Sequence, residues 1–274
     1  MNNTSMTSFN GYQERPFLTR EQIKEKVPSI FGYKAENMSE RYNFTPTHEI
    51  IDSMEKVGWY PTNISGVHPS KKDINTVKHV IRFADSQNTI KSLEGIVPEI
   101  AIINSHNGSS PLSAHLGFFR MVCANGLMVG TSISEMKWRH KKMDYVGIKE
   151  FIVQALEEFS SQATLVPLYQ KITLTEKEKI QFAEKTINMV WNGVMFEPEK
   201  ILSPKRSFDI KNDLWSVFNV IQENVTKGGI QYRLDNSKKH KYQTTKLIRN
   251  IDRNVNINLA LWTMMDGFYR NGKF

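Results

Sequence analysis

Residues 98–119, PEIAIINSHNGSSPLSAHLGFF, decide the fold class of this chain. Two apolar runs flank a polar centre, and the second run alternates two sets of residues: Leu112, Ala114, Leu116 and Phe118 with Ser113, His115 and Gly117. A period of two is typical of a half-buried β-strand, and an Asn-Gly pair between two such runs is a strong hairpin signal. The stretch therefore predicts a long β-hairpin, with Gly108 supplying the backbone freedom of its turn.

The flanking sequence predicts an α+β fold with an N-terminal helix, an antiparallel sheet containing the long β-hairpin, and a helical C-terminal half. Residues 45–59 carry an apolar stripe of helical period, and Thr45 is their predicted helix cap. Residues 77–85, VKHVIRFAD, predict a strand. We expect a short helical turn at 119–126, FRMVCANG, and a last strand at 127–133, LMVGTSI.

Composition and period divide the chain into three segments. We expect a polar N-terminal arm at 1–44, an α+β core with the hairpin at 45–143, and a helical half with a basic segment at 144–274. In the helical half, Thr175 and Glu178 have the spacing of a capping box. A later helix is predicted to begin at Asn212 or Asp213 and to stop at Gly228.

The composition is globular with a basic excess. Of 274 residues, 39% are hydrophobic and 23% are charged, and the formal net charge is +8. No apolar run approaches the roughly 18 to 20 residues of a membrane-spanning helix, and residues 1–17 lack the apolar region of a secretory signal. The single cysteine, Cys123, excludes an internal disulfide. We therefore expect a cytoplasmic protein without a membrane partner.

Common catalytic motifs are missing from the sequence. It contains no GxxxxGK[ST], no GxGxxG after a strand and no GxSxG. The seven histidines, at positions 48, 68, 79, 106, 115, 140 and 240, do not have the spacing of metal ligands on a helix. We therefore expect no cofactor, no metal ion and no enzymatic activity.

The polar centre of the hairpin allows two interpretations. His106 with Ser109 or Ser110 could serve as base and nucleophile, but acyl transfer needs an oriented base beside oxyanion donors. Turn chemistry explains His, Asn, Gly and Ser in this run equally well, so we favour a turn. Cys123 lies among apolar residues and is expected to be a small buried side chain.

Three basic stretches with interleaved aromatic residues predict a nucleic-acid partner. Residues 201–253 alone hold eleven Lys and Arg against five Asp and Glu. Phosphates pair with Lys and Arg, and bases stack on aromatic rings without sequence preference, as in proteins that bind single strands. In the alternative interpretation each stretch is a solvated loop. The predicted binding residues are Lys137, Trp138, Arg139, Lys141, Lys142, Lys205, Arg206, Tyr232, Arg233, Lys238, Lys239, Lys241, Tyr242, Lys246, Arg249 and Arg253.

A longer motif combines the hairpin turn with the segment after it. Its residues are Asn104, Ser105, His106, Asn107, Gly108, Ser109 and Ser110, followed by Arg120, Cys123 and Asn125. With this motif the chain resembles a large family of phage/plasmid-like proteins of unknown function, found on bacteriophages and conjugative plasmids. The resemblance implies an origin on a mobile element in a bacterial host cell and carries no agreed activity.

The layout of helix, antiparallel sheet with a long hairpin, and basic helical half is similar to single-strand annealing proteins of the RecT, Redβ and Erf kind. This fold-level analogy implies a homo-oligomer that anneals single-stranded DNA in recombination or replication without ATP. Trp138, Tyr232 and Tyr242 are the expected stacking platforms. The alternative is an interaction protein that inhibits a host defence or housekeeping protein.

Overall fold

The computed structural model describes residues 16–42, 44–67, 73–86, 96–120, 125–128, 135–138, 145–192, 197–233 and 242–274. The chain divides into two compact units, Met1–Ser161 (unit 1) and Gln162–Phe274 (unit 2). The division predicted between residues 143 and 144 falls outside the described residues. Unit 1 contains the large sheet and unit 2 is mainly helical, so the predicted α+β class is confirmed.

Unit 1 is built on one antiparallel sheet. Its described strands are β1 (Trp59–Gly66), β2 (His79–Asp85), β3 (Ile96–Asn104), β4 (Leu112–Arg120), β5 (Asn125–Met128) and β6 (Glu135–Trp138). The order is β1-β2-β3-β4-β5, and β6 pairs with the first half of β4. Strands β3 and β4 pair from Ile103↔Ser113 to Ile96↔Arg120, which confirms the long hairpin.

Helices complete unit 1. They are α1 (Arg20–Lys26), α2 (Thr47–Lys56) and α3 (Tyr145–Ala163), whose last turn crosses the unit boundary, with a 3-10 turn at Pro28–Phe31. Helix α2 begins at Thr47, one residue later than predicted, and Pro46 is its N-cap. Its predicted apolar face is buried at Ile50, Ile51 and Met54. Residues 16–42, within the predicted polar arm, bury the side chains of Ile23, Val27 and Ile30.

One local prediction is wrong, and two strands of unit 1, β1 and β6, were not predicted. Phe119 and Arg120 of β4 pair with Gly126 and Asn125 of β5, so the described ends of segment 119–126 are paired strands, in place of the predicted helical turn. Of the strand predicted at 127–133, only the first two residues are described, and they lie in β5. Strand β1 escaped prediction because Pro61 and the register shift beside it break the alternation of its side chains.

Unit 2 packs helices around one buried helix. Its elements are α4 (Val166–Gln170), α5 (Glu176–Val190), α6 (Glu199–Leu202), α7 (Leu214–Lys227), β7 (Gln231–Arg233), β8 (Tyr242–Thr244) and α8 (Ile251–Asn271). The capping box of Thr175 and Glu178 is confirmed. Helix α7 begins after Asp213 and ends at Gly228, as predicted, and residues 214–226 are all buried. The β7–β8 pair carries the predicted binding residues Tyr232, Arg233 and Tyr242, and no strand was predicted there.

Candidate functional site

The loop between β3 and β4, residues 105–111, is folded inward and is not a two-residue hairpin tip. Ser105, His106 and Ser110 are buried. The Ser105 hydroxyl donates to the Ser110 carbonyl and accepts from the Ser110 amide, both at 2.8 Å. Asn107 Oδ1 accepts from the Ser109 amide at 3.1 Å, and Gly108 has φ +70°. Local turn chemistry thus shapes the exposed half of the loop, and buried hydrogen bonds fix the other half.

Below this loop, two histidines share the hydroxyl of Thr47. His79 Nδ1 lies 2.9 Å from the Val77 carbonyl, so this nitrogen carries the proton and Nε2 accepts from the Thr47 hydroxyl at 2.8 Å. Since Thr47 has only one hydroxyl proton, His106 Nε2 must donate to the same oxygen, at 3.1 Å. All three side chains are buried. The hydrogen-bond pattern therefore assigns one neutral tautomer to each ring.

Asn104 ties this pair to the start of α2. Its amide nitrogen donates to the Thr45 carbonyl at 3.0 Å and to Thr47 Oγ1 at 2.9 Å, while its amide oxygen accepts from the Ser105 amide at 2.8 Å. One side chain thus joins the end of β3, the loop and the N-terminus of α2. We name Thr47, His79, Asn104 and His106 the polar core.

Burial keeps both histidines of the polar core uncharged at neutral pH. Burial, with a smaller contribution from His106, lowers the pKa of His79 to about 3, although the Val77 carbonyl opposes the shift. Burial, with a smaller contribution from His48, lowers the pKa of His106 to about 4, against the opposing effect of the Asn75 carbonyl. A general base for neutral pH needs a pKa near 7. In this arrangement both rings are hydrogen-bonding partners of Thr47.

The possible catalytic pair is not assembled. In the described part of the chain, neither Ser109 nor Ser110 hydrogen-bonds to the His106 ring, and the Ser110 hydroxyl donates to the Pro111 carbonyl at 3.3 Å. His106 Nδ1 is buried, and although the Asn75 backbone affects the pKa of this ring, no hydrogen bond of good geometry reaches Nδ1 among these residues. Sequence reasoning missed Thr47 and His79, because they come from α2 and β2 and have no local motif.

Neither a metal centre nor a membrane span is found in the described ranges. There, no three His, Cys, Asp or Glu side chains are grouped closely enough to hold a metal ion. Of the helices described, none combines the length and hydropathy of a membrane-spanning segment.

Much of the predicted nucleic-acid set lies outside the described residues. This applies to Arg139, Lys141, Lys142, Lys238, Lys239 and Lys241, and also to Cys123 of the family motif. Lys137 and Trp138 lie in β6, Arg233 in β7, and the motif residues Arg120 and Asn125 in β4 and β5, with only their backbone described.

The remaining basic residues of unit 2 differ in their surroundings. Arg206 is already paired: its guanidinium donates to Asp209 at 2.8 Å and to both carboxylate oxygens of the buried Glu223. Arg253 donates to the Val190 carbonyl at 2.7 Å. These two guanidinium groups stabilise unit 2 itself.

Other predicted residues are open to solvent. Lys205, Lys246 and Arg249 are exposed, and within the described ranges none of them forms an ion pair. Tyr242 is 67% exposed. Tyr232 donates from its hydroxyl to Gln243 Oε1 at 2.6 Å across the β7–β8 hairpin.

Two exposed segments of unit 2 meet the end of α7. Arg206 binds Glu223, and the Ile248 amide donates to the Thr226 carbonyl at 3.0 Å. Positions 223 and 226 are neighbours on the helix surface, so segments 205–210 and 242–249 lie against the same last turns of α7. Large apolar side chains are exposed on both segments: Phe208, Ile210 and Leu247, besides Tyr242. We name these two segments the α7 rim.

Comparison with known proteins identifies relatives across nearly the whole chain. The family described as "Domain of unknown function (DUF932)" matches residues 34–262. The chain is 34% identical over 264 residues to UPF0380 protein YafZ of Escherichia coli K12, covering 93% of this chain and 92% of that protein. It is likewise 34% identical over 261 residues to UPF0380 protein YfjQ of the same strain, with the same coverage. No solved structure matches the chain significantly.

Proposed function

The chain belongs to the DUF932 family, and we propose that within this family it binds and anneals single-stranded DNA of phage or plasmid origin without ATP. The proposal places it in recombination or replication in the cytoplasm of a bacterial host cell, as a homo-oligomer. The chemistry would be positioning alone, because annealing needs the backbone held and the bases left free to pair.

The observation that carries the proposal is the α7 rim, where exposed cations and exposed rings occur together. Lys205, Lys246 and Arg249 have no carboxylate partner in the described ranges, and Tyr242 and Phe208 are 67% and 47% exposed. Unpaired cations can neutralise phosphates, and exposed rings offer stacking surfaces to bases of any sequence. Arg206 is not among the proposed contacts, because two carboxylates already occupy its guanidinium.

The first experiment measures fluorescence anisotropy of a labelled single-stranded oligonucleotide and its duplex, each at several salt concentrations. The expected result is preferential, salt-sensitive binding of the single strand. For single strands, log K falls against log salt concentration by about 0.7 for each phosphate contacted. Lys246→Glu with Arg249→Glu should therefore reduce the slope by about 1.4 if each side chain holds one phosphate.

Lys185→Glu is the matched control, since Lys185 is exposed on α5 of the same unit. It should leave the salt slope unchanged. Tyr242→Ala should weaken binding by about 1–3 kcal/mol, the usual contribution of one stacked base. Annealing of two complementary labelled strands without ATP then tests the activity itself. Absence of binding at micromolar protein in low salt would refute the proposal.

The second candidate is a factor that inhibits a host defence or housekeeping protein. It is favoured by the apolar side chains of the α7 rim, since Ile210 is 71% and Leu247 is 53% exposed. Exposed apolar groups contribute little to phosphate binding but are typical of protein interfaces. Under this alternative, Ile210→Asp with Leu247→Asp should abolish retention of one host protein from a bacterial lysate. DNA binding would then be weak and insensitive to these two changes.

A further inference from the structure

A cavity of about 500 Å³ lies beside the 105–111 loop of unit 1, and its size is within the range of small-molecule sites. Its polar lining comes from Tyr33, Glu36, Asn37, Asp73, Thr76, Asn107 and Ser109. We name it the loop cavity. Its lining residues belong to unit 1 and share none with the α7 rim, so conclusions about it do not depend on the proposed DNA binding.

Backbone hydrogen bonds hold the walls of the loop cavity together. The Ala35 amide donates to the His106 carbonyl, and the His106 amide donates to the Thr76 carbonyl, both at 2.9 Å. Ala35 and Thr76 both line the cavity. The segments that contain Ala35, His106 and Thr76 are therefore joined, and His106 belongs to the buried polar core. The cavity is thus largely preformed.

An aromatic ring and a carboxylate are fixed next to each other in this cavity. The Tyr33 hydroxyl donates to Asp73 Oδ2 at 2.6 Å, and Asp73 Oδ1 accepts from the Asn75 amide and side chain at 2.9 Å each. The Tyr33 hydrogen bond, helped by the Asn75 amide, lowers the pKa of Asp73. The same bond to Asp73, with smaller effects that include the charge of Glu36, raises the pKa of Tyr33. At neutral pH the carboxylate is therefore charged and the phenol is not.

The charge of the lining is opposite to that of the chain. No Lys, Arg or His is among the described residues that line the cavity, although the chain has a formal net charge of +8. Lys34, next to Tyr33 in sequence, directs its ammonium group to the Ser39 carbonyl at 2.9 Å. Two carboxylates without a cation repel phosphate, and an aromatic face beside them attracts an organic cation.

We propose that the loop cavity binds a guanidinium or primary ammonium group. Asp73 and Glu36 supply the counter-charges, and the Tyr33 ring, 55% exposed, supplies a cation–π face. Amide oxygens of Asn37 and Asn107 are further acceptors for the N–H groups of the ligand. The cation belongs either to a free amine or to an Arg or Lys side chain of a protein, and the experiment separates these sources.

The test is calorimetric titration of the full chain at physiological salt with three probes. Agmatine represents a free amine, and a blocked Gly-Arg-Gly peptide represents a protein side chain. The same peptide with citrulline in place of arginine removes only the charge. The variants are Asp73→Asn, which keeps the acceptor of the Asn75 hydrogen bonds, Glu36→Gln and Tyr33→Leu. Glu40→Gln is the control, because Glu40 is exposed four residues after Glu36 in the sequence and does not line the cavity.

Agmatine or the arginine peptide should bind, and Asp73→Asn should weaken that binding at least about tenfold, or about 1.4 kcal/mol. Binding of agmatine supports a free amine as the ligand, and binding of the peptide alone supports a protein side chain. Three results would overturn the proposal: no binding of either cation, equal binding of the citrulline peptide, or an equal loss in Glu40→Gln. Thermal melting of every variant shows whether a loss reflects unfolding.

Discussion

Acidification should destabilise unit 1 through the two histidines of the polar core. In the folded chain, burial lowers the pKa of His79 to about 3 and that of His106 to about 4. An unfolded histidine titrates near ~6.5. As the pH falls below that value, the unfolded chain takes up protons that the folded chain does not, so stability is lost down to the folded pKa values.

The size of this effect follows from the two pKa values. Below pH ~6.5, each histidine lowers the free energy of unfolding by about 1.4 kcal/mol per pH unit. At pH 5 the loss is about 2 kcal/mol for one histidine and about 4 kcal/mol for the pair. Both rings are still neutral in the folded chain at that pH, so their mutual repulsion does not alter the sum. A loss of this size is a large part of the roughly 5–15 kcal/mol that stabilises a typical domain.

The assay is urea denaturation between about pH 8 and about pH 5, with hydrogen–deuterium exchange of peptides from β2 and β3 so that unit 1 is read separately. His79→Gln removes one titrating group. It should be less stable than the unchanged chain at the higher pH, yet lose about 2 kcal/mol less on acidification. Ile81→Val in the same strand is the control, since it costs about 1 kcal/mol at every pH. If His79→Gln loses as much on acidification as the unchanged chain, the reasoning is refuted.

Four further predictions concern stability and are measured by urea denaturation of each variant. Gly108→Ala should cost about 1–2 kcal/mol, because φ is +70° there; Gly267→Ala, in open space on α8, should stabilise by about 0.5–1 kcal/mol. Arg206→Met should cost about 3 kcal/mol by leaving the buried Glu223 with one cation fewer, and no loss would show that this pair is dispensable. Thr175→Ala should cost about 1 kcal/mol through loss of the helix cap, whereas an unchanged midpoint would contradict the capping role.

Within the described residues, the local predictions that are confirmed share one property. The residues that indicate each element lie within that element or next to it in the sequence. The β3–β4 hairpin follows from alternation and a turn, and the starts of α5 and α7 follow from Thr175 and Asp213. Strand β1 was not predicted because its Pro61 interrupts the local alternation of side chains. Its position in the sheet is set by pairing with β2. The short β7–β8 hairpin escaped for a similar reason, since its strands are too brief to show a period.

The candidate sites show the same limit. The NSHNGSS run indicated the 105–111 loop as a candidate site, and the excess of Lys and Arg indicated unit 2. Neither could show that Arg206 is neutralised by Glu223, because that carboxylate comes from α7. Nor could they show Tyr33 and Asp73 in one cavity, since the two residues lie on different segments that only the fold brings together.

By itself, the sequence determined the α+β class, the long hairpin, the starts of α5 and α7 and the family, because these depend on local periodicity and short motifs. Tertiary structure alone decided that His106 of the loop and His79 of β2 share the hydroxyl of Thr47 from α2. The physical reason is burial. Buried polar groups must find hydrogen-bond partners within the fold, and those partners come from whichever elements pack there, however distant in the chain.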